Sequence, residues 1–183
     1  MKKLVNSVKC LMVVVTLIFI STGCHNDAKD NQYAGFSKAG MKYKNIVVSN
    51  FSVSPRGVAE DDPRNVREHM LSAQAGCVSE LLNSNLFDNV AFNSSSSTDS
   101  TLIVQGELTE LRIVSGAARA WGGAFVGKSV MAFHVKLVDG KSGNIVAERD
   151  IRDDMGNAYV PDSQLPRIVG QLIAELVINS SKM

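Results

Sequence analysis

Apolar and polar positions alternate along the chain with two different periods, and the places where the period changes mark out the elements. Asn45 to Val53 (NIVVSNFSV) is rich in β-branched residues and sets Val47, Phe51 and Val53 on one side, which predicts a first strand ended by Pro55-Arg56-Gly57. Asp61-Asp62-Pro63 predicts a helix start, with an acidic N-cap and a proline at the first helical position, where no N–H is needed. Val66, Met70, Ala73, Cys77, Val78, Leu81 and Leu82 then recur at helical spacing as one apolar face, and Asn83-Ser84-Asn85 closes the helix. Phe87 to Phe92 reads as a short strand and the serine-rich run at 94 to 100 as a solvated loop. Thr101 to Val114 is a long strand whose apolar parity switches from Leu102, Val104 and Leu108 to Leu111 and Ile113, so a bulge is expected between Leu108 and Leu111. Met131, Phe133, Val135 and Leu137 alternate with polar or small residues, Asp139 to Asn144 is a hairpin connection, and Ile145 to Ile151 is the returning strand. A closing helix from Ser163 or Gln164 places Leu165, Ile168, Val169, Leu172 and Leu176 on one face, with Pro166 tolerated in the first turn. The expected fold is α+β: a mostly antiparallel sheet of four or five strands with two helices packed on one face.

Upstream of this pattern stands a different one. Lys2, Lys3 and Lys9 form a cationic start, Cys10 to Ile20 (CLMVVVTLIFI) is an apolar run, and Ser21-Thr22-Gly23 supplies small residues before Cys24. Eleven residues fall short of the roughly 20 that a spanning helix needs, so the run reads as a cleaved leader. S-T-G-C resembles the lipobox of bacterial lipoproteins, in which the cut is made before a cysteine already carrying diacylglycerol; Gly23 fits the position before the cut. Cys24 is therefore the expected lipidation site. Two or three acyl chains, at about 0.8 kcal/mol per buried methylene, make a lasting anchor where one would not. Residues 1–23 are the expected signal peptide, 24–43 a polar lipidated tether, and 44–183 a single α+β domain.

Charge and cysteine usage narrow the partners. The whole 183-residue chain carries a formal charge of +1, and loss of three lysines with the leader takes it to −2. A balance so near zero leaves no electrostatic footprint for nucleic acid. With Cys10 removed and Cys24 acylated, Cys77 is the one thiol left, so no intramolecular disulfide forms in the mature chain; its place on the helix face reads as core.

Residues 122 to 129 (GGAFVGKS) fit the phosphate-loop pattern G-x-x-x-x-G-K-[ST] through Gly122, Gly127, Lys128 and Ser129. A working phosphate loop opens a helix, whereas the residues after Ser129 alternate with period two, so nucleotide binding or hydrolysis by this loop is the lesser reading. Glycines there also serve close backbone approach. Trp121 and Phe125 are either an exposed aromatic contact for a partner protein or bilayer interface, or internal packing. His25, His69 and His134 lack spaced Cys, Asp or Glu partners, so neither metal nor cofactor is expected. No nucleophile elbow appears, and no catalytic residue is assigned.

The lipobox, the first strand with its Pro-Arg segment, LLNSNLFDNV, TLIVQGELTEL and SGAARAWGGAFVGKSVMAFHVKLVDGKSGNIV together resemble a bacterial lipoprotein family known as domain of unknown function 4410, over about residues 42 to 178. Its most specific stretch is Val135 to Val146, strand, V-x-L-V-D, turn with Gly143, strand. That family is similar in turn to small α/β domains at the N-terminus of periplasmic translocation proteins and in secretion-linked lipoproteins. The resemblance implies fold and location and supplies no catalytic residue. In Gram-negative relatives the residue after the lipidated cysteine directs sorting, and His25 implies the outer membrane, facing the periplasm. The expectation is a membrane-anchored, non-enzymatic binding or assembly module with envelope protein partners.

Overall fold

A helix set between two strands returns the chain to the end it left, and that connection decides how this sheet is built. The computed structural model describes residues 33–55, 58, 63–94, 99–114, 121, 127–155 and 162–182; the leader, Cys24 and the Asp61-Asp62 cap lie outside them. The chain divides into Met1–Ala34 and Gly35–Met183, and all named elements belong to the second part. They run β1 (Asn45–Val48), β2 (Ser52–Val53), α1 (Pro63–Ser84), β3 (Asn89–Phe92), β4 (Thr101–Arg112), β5 (Ser129–Asp139), β6 (Ile145–Met155) and α2 (Leu165–Ser180).

The strands form one six-stranded sheet in the order β3-β1-β4-β5-β6, with β2 also on β4. With α1 as the crossover, β1 pairs in parallel with β3, Ile46 beside Val90 and Val48 beside Phe92. On its other side β1 pairs in parallel with β4, and β2 follows along the same edge. Among the described strands only the β4–β5 and β5–β6 pairs are antiparallel. The sheet is thus mixed and six-stranded, a correction to the mostly antiparallel sheet of four or five strands that the sequence pattern predicts. A strand–helix–strand order already carries the parallel pairing, whereas the hairpin after Asp139 fixes only β5–β6 as antiparallel.

The first apolar run does not make one strand. Between β1 and β2 the chain leaves β4 for Ser49, Asn50 and Phe51, then rejoins it, with Ser49 N–H on Val104 O at 2.9 Å and Ser54 N–H on Leu108 O at 2.9 Å. The detour turns the Phe51 ring into the core against Phe133, ring centroids 5.3 Å apart. Gly106 makes this possible: a Cβ there would lie 2.8 Å from Phe51 Cδ1. Val53, expected beside Phe51, is instead exposed.

The core lies on one face of the sheet. Ile46, Val48, Leu102, Val104, Leu108, Leu111, Met131, Phe133, Val135 and Leu137 are all buried and share that side through their registers. Each such side chain contributes roughly 1.5–3 kcal/mol on leaving water. The expected bulge is present: the β4–β5 register shifts between Leu108 and Glu110, which keeps Leu111 on the core side.

Both helices cover this face and meet over two glycines. A Cβ on Gly76 would sit 3.1 Å from the Arg167 backbone, and one on Gly170 would sit 2.8 Å from Cys77 N and closer still to Ala73 O. The close crossing rotates α2 from the face that its spacing predicts. Leu165, Val169, Ile173, Ala174, Val177 and Ile178 are buried, while Ile168, Leu172 and Leu176 are half-buried. Beside the crossing, Gln171 Nε2 donates to Glu80 Oε2 at 3.1 Å, so the one buried carboxylate of α1 is met from α2. Cys77 is fully buried in this layer, and burial pushes its thiol up to about 12, fitting a core residue and not a nucleophile.

The packed body begins before β1. Met41 and Tyr43 are buried, Met41 bridges to Lys182, and Lys42 N–H donates to Ser181 O at 2.7 Å. Tyr43 Oη donates to Asp139 Oδ2 at 2.9 Å, tying this lead-in to the β5–β6 turn.

Candidate functional site

Helix α1 carries a second apolar stripe, and it faces away from the core. Leu71, Ala75, Val78 and Leu82 are spaced i, i+4, i+7, i+11, so they line one side of the helix. The sequence pattern had Val78 and Leu82 within the buried face; instead Val78 is half-buried and Leu82 is 53% exposed, with Leu71 at 47%. The buried stripe is narrower, consisting of Val66, Ala73, Cys77 and Leu81. Phe92, at the end of β3, stands 51% exposed beside the second stripe, because its register with Val48 turns it to the helix side of the sheet. Together with Gln74, Ser79 and Asn83 these residues line a groove of about 460 Å³. Gln74 itself is buried and donates to Ser49 O at 2.5 Å, which fixes the groove's floor to the β1–β2 detour. No charged side chain lines the groove.

The opposite face of the sheet has the reverse chemistry. His134, on β5, lies between two β6 carboxylates: Nδ1 is 2.6 Å from Asp150 Oδ1 and Nε2 is 2.7 Å from Glu148 Oε1. Hydrogen bonds to Asp150 and then Glu148 raise its pKa above the ordinary 6.5, and the same bond holds Glu148 below its usual range. Lys136 joins Glu148 at 3.3 Å and Arg152 joins Glu110 at 3.2 Å. A polar hollow of about 290 Å³ opens beside His134, lined also by Ser49, Asn50, Ser52, Gln105, Glu107 and Lys136. His69 sits in the helix layer with Nδ1 on Asn65 O at 2.8 Å, so the sheet separates it from His134. Among the described residues no group of three His, Cys, Asp or Glu is placed to hold a metal ion.

Of the residues singled out from the glycine-rich run, the structure describes Trp121, Gly127, Lys128 and Ser129. Gly122 and Phe125 lie outside the described residues, as does Cys24. Gly127 has a φ of +81°, a conformation glycine adopts readily. Lys128 pairs with Asp154 at 3.5 Å. Ser129 opens β5, not a helix, and its buried Oγ accepts from Val114 N–H at 2.9 Å. A phosphate loop directs its Lys and the hydroxyl after it to a ligand at a helix N-terminus; here a strand starts at that point. Trp121 is 92% exposed.

The family sequence model of the domain of unknown function (DUF4410) matches residues 46–157, from the second residue of β1 past the end of β6. The chain belongs to that family. No curated protein sequence matches it. Among solved structures, this DUF4410 member is similar to a PelC dodecamer from Paraburkholderia phytofirmans, with 15% identity over 78% of this chain and 91% of that one and a TM-score of 0.53. It is also similar to the hypothetical protein CT253 from Chlamydia trachomatis, with 9% identity over 75% of this chain and 98% of that one and a TM-score of 0.51. At these identities the likeness is one of fold. Among the described helices of the DUF4410 domain none is long and apolar enough to cross a membrane.

Proposed function

We propose that this chain is a lipid-anchored protein of the cell envelope, facing the periplasm from the outer membrane, that acts as a non-enzymatic assembly module. The observation that carries the assembly role is the groove along α1 and Phe92: an uncharged apolar face, roofed by nothing among the described residues, beside an open sheet edge. The anchor rests on the leader and on S-T-G-C ending at Cys24. Support also comes from the fold neighbour PelC, which is a dodecamer. The non-enzymatic reading is supported by the engagement of Lys128 with Asp154 and of the Ser129 hydroxyl with the Val114 N–H, inside the fold and at the start of a strand.

Two measurements test this. Cells fed labelled palmitate should yield a labelled, membrane-associated product, and Cys24→Ala should abolish the label. Crosslinking in cells should then trap the chain in species larger than a monomer. An unlabelled product that keeps its leader overturns the anchor, and a chain that stays monomeric in cells without envelope partners overturns the assembly role.

A further inference from the structure

Resting on the assembly reading, we infer that the groove seats a second copy of this chain, with two copies joined through their β3 edges by a two-fold axis. Among the described residues β3 pairs on one side only, with β1. The N–H groups of Asn89 and Asn93 turn inward, to Lys44 O and Val48 O. By strand alternation Val90 and Phe92 direct their N–H and C=O groups to the open side. Those two residues also carry their side chains on the helix side of the sheet, through their registers with Ile46 and Val48.

An antiparallel, self-pairing register follows from these directions. With the axis perpendicular to the sheet, each copy keeps its helices on the same side, and only pairings that match side-chain faces are allowed. Centring on Ala91 sets Val90 opposite Phe92 of the other copy, twice, so the four outward backbone groups on each copy find partners. It also sets Ala91 opposite Ala91. The two α1 helices then lie side by side above the joint, and Leu71, Val78 and Leu82 of one copy close over those of the other together with both Phe92 rings. One movement covers the open edge and fills the groove.

Charge favours a copy of the same chain over a different partner strand of either sign. Asn89-Val90-Ala91-Phe92-Asn93 has no charge, and neither does the groove lining, so self-pairing opposes no like charges. The other edge strand, β6, which among the described residues pairs only with β5, carries Glu148, Arg149, Asp150, Arg152, Asp153 and Asp154 over seven residues. β3 has none of that protection.

Ala91→Cys in the full-length lipidated chain tests the register. Directly opposed residues of a non-hydrogen-bonded antiparallel pair have Cα atoms about 4.5 Å apart, within disulfide reach. Mild copper-phenanthroline oxidation of membranes should convert most of this variant to a dimer on non-reducing gels. The yield should be at least ten-fold above wild type and above Arg149→Cys on the β6 edge. Adding Leu82→Lys, at an exposed position, should lower the dimer about ten-fold while the circular dichroism spectrum and melting temperature stay as in Ala91→Cys alone. Failure of Ala91→Cys to crosslink while the detergent-solubilised chain has an oligomer's mass overturns this interface and leaves the assembly reading standing. A monomeric mass with no crosslink overturns both. A photocrosslinker at Leu82 that labels lipid or another protein in place of the chain itself also overturns the inference.

Discussion

The two ends of the sheet are built on opposite terms. At the β3 end a four-residue strand without charge lies under a helix that exposes Leu71 and Leu82. At the β6 end an eleven-residue strand carries both acids and bases, and its side chains bond to β5 and β4 partners such as His134, Lys136 and Glu110. Exposed ion pairs of this kind contribute little to stability. Their value at an edge is to make a wrong neighbour strand unfavourable. One end thus carries charge and the other, among the described residues, is left open, and the proposed β3 contact rests on that difference.

The helix crossing couples the two ends, since α1 packs by β3 and α2 by β5 and β6. The largest effect is therefore expected from Gly170→Ala, whose methyl has no room against the α1 backbone. It should cost about 3 kcal/mol, a drop in melting temperature on the order of 10 °C for a domain of this size. Scanning calorimetry checks it, and a near-unchanged melting point would mean that the helices do not lock the ends together. Gly106→Ala should cost less, about 1–2 kcal/mol, because the obstacle is the Phe51 ring and not backbone.

Acid should act next, and locally. Asp139, at the β5–β6 turn, is held at about 2, below its ordinary 3.8, by the Ser142 N–H, then the Tyr43 hydroxyl and the Ser142 and Lys141 donors. A carboxylate depressed in the fold stabilises it above the unfolded value, and that contribution disappears as pH falls through the folded one. Asp139→Asn should flatten the loss of stability between pH 3.8 and about 2, read by urea denaturation at each pH. A wild-type and variant pair with parallel acid profiles would remove Asp139 from the account.

The smallest effect belongs to His134. Its raised pKa means that its contribution is complete below 6.5 and fades as pH rises through the folded value. Ring-proton NMR should show a midpoint above 6.5, and Asp150→Asn with Glu148→Gln should bring it back towards 6.5. The double variant should leave the proposed β3 contact untouched, which separates the two ends experimentally.

Much of the fold was legible in residue spacing, and the losses have identifiable causes. Long strands with one buried face, β4 and β5, declared themselves by parity, and the parity switch gave the bulge near Leu108. The split between β1 and β2 was hidden because Phe51 continues the alternation while its backbone leaves the ladder. The burial of α2 was misjudged because Gly170 marks a contact that hydrophobic spacing ignores. The second stripe on α1 was absorbed into the first, since Val78 and Leu82 adjoin Cys77 and Leu81 in the sequence. For the site, the glycine-rich run drew attention by matching a pattern letter for letter, whereas β3 is short and plain. What distinguishes Asn89–Phe92 is its position at the end of a sheet, and position is a tertiary property.

The lead-in to β1 has a mechanical consequence. The segment before Asn45 is clipped to the last residues of the chain by the Met41–Lys182 bridge and then enters the sheet at β1, flanked by β3 and β4. A pull arriving from the N-terminal direction thus bears on an interior strand, where two ladders must shear at once, and not on a rim that peels one bond at a time. In the proposed lipid-anchored arrangement, a domain threaded in this way would resist being drawn out by its own leash.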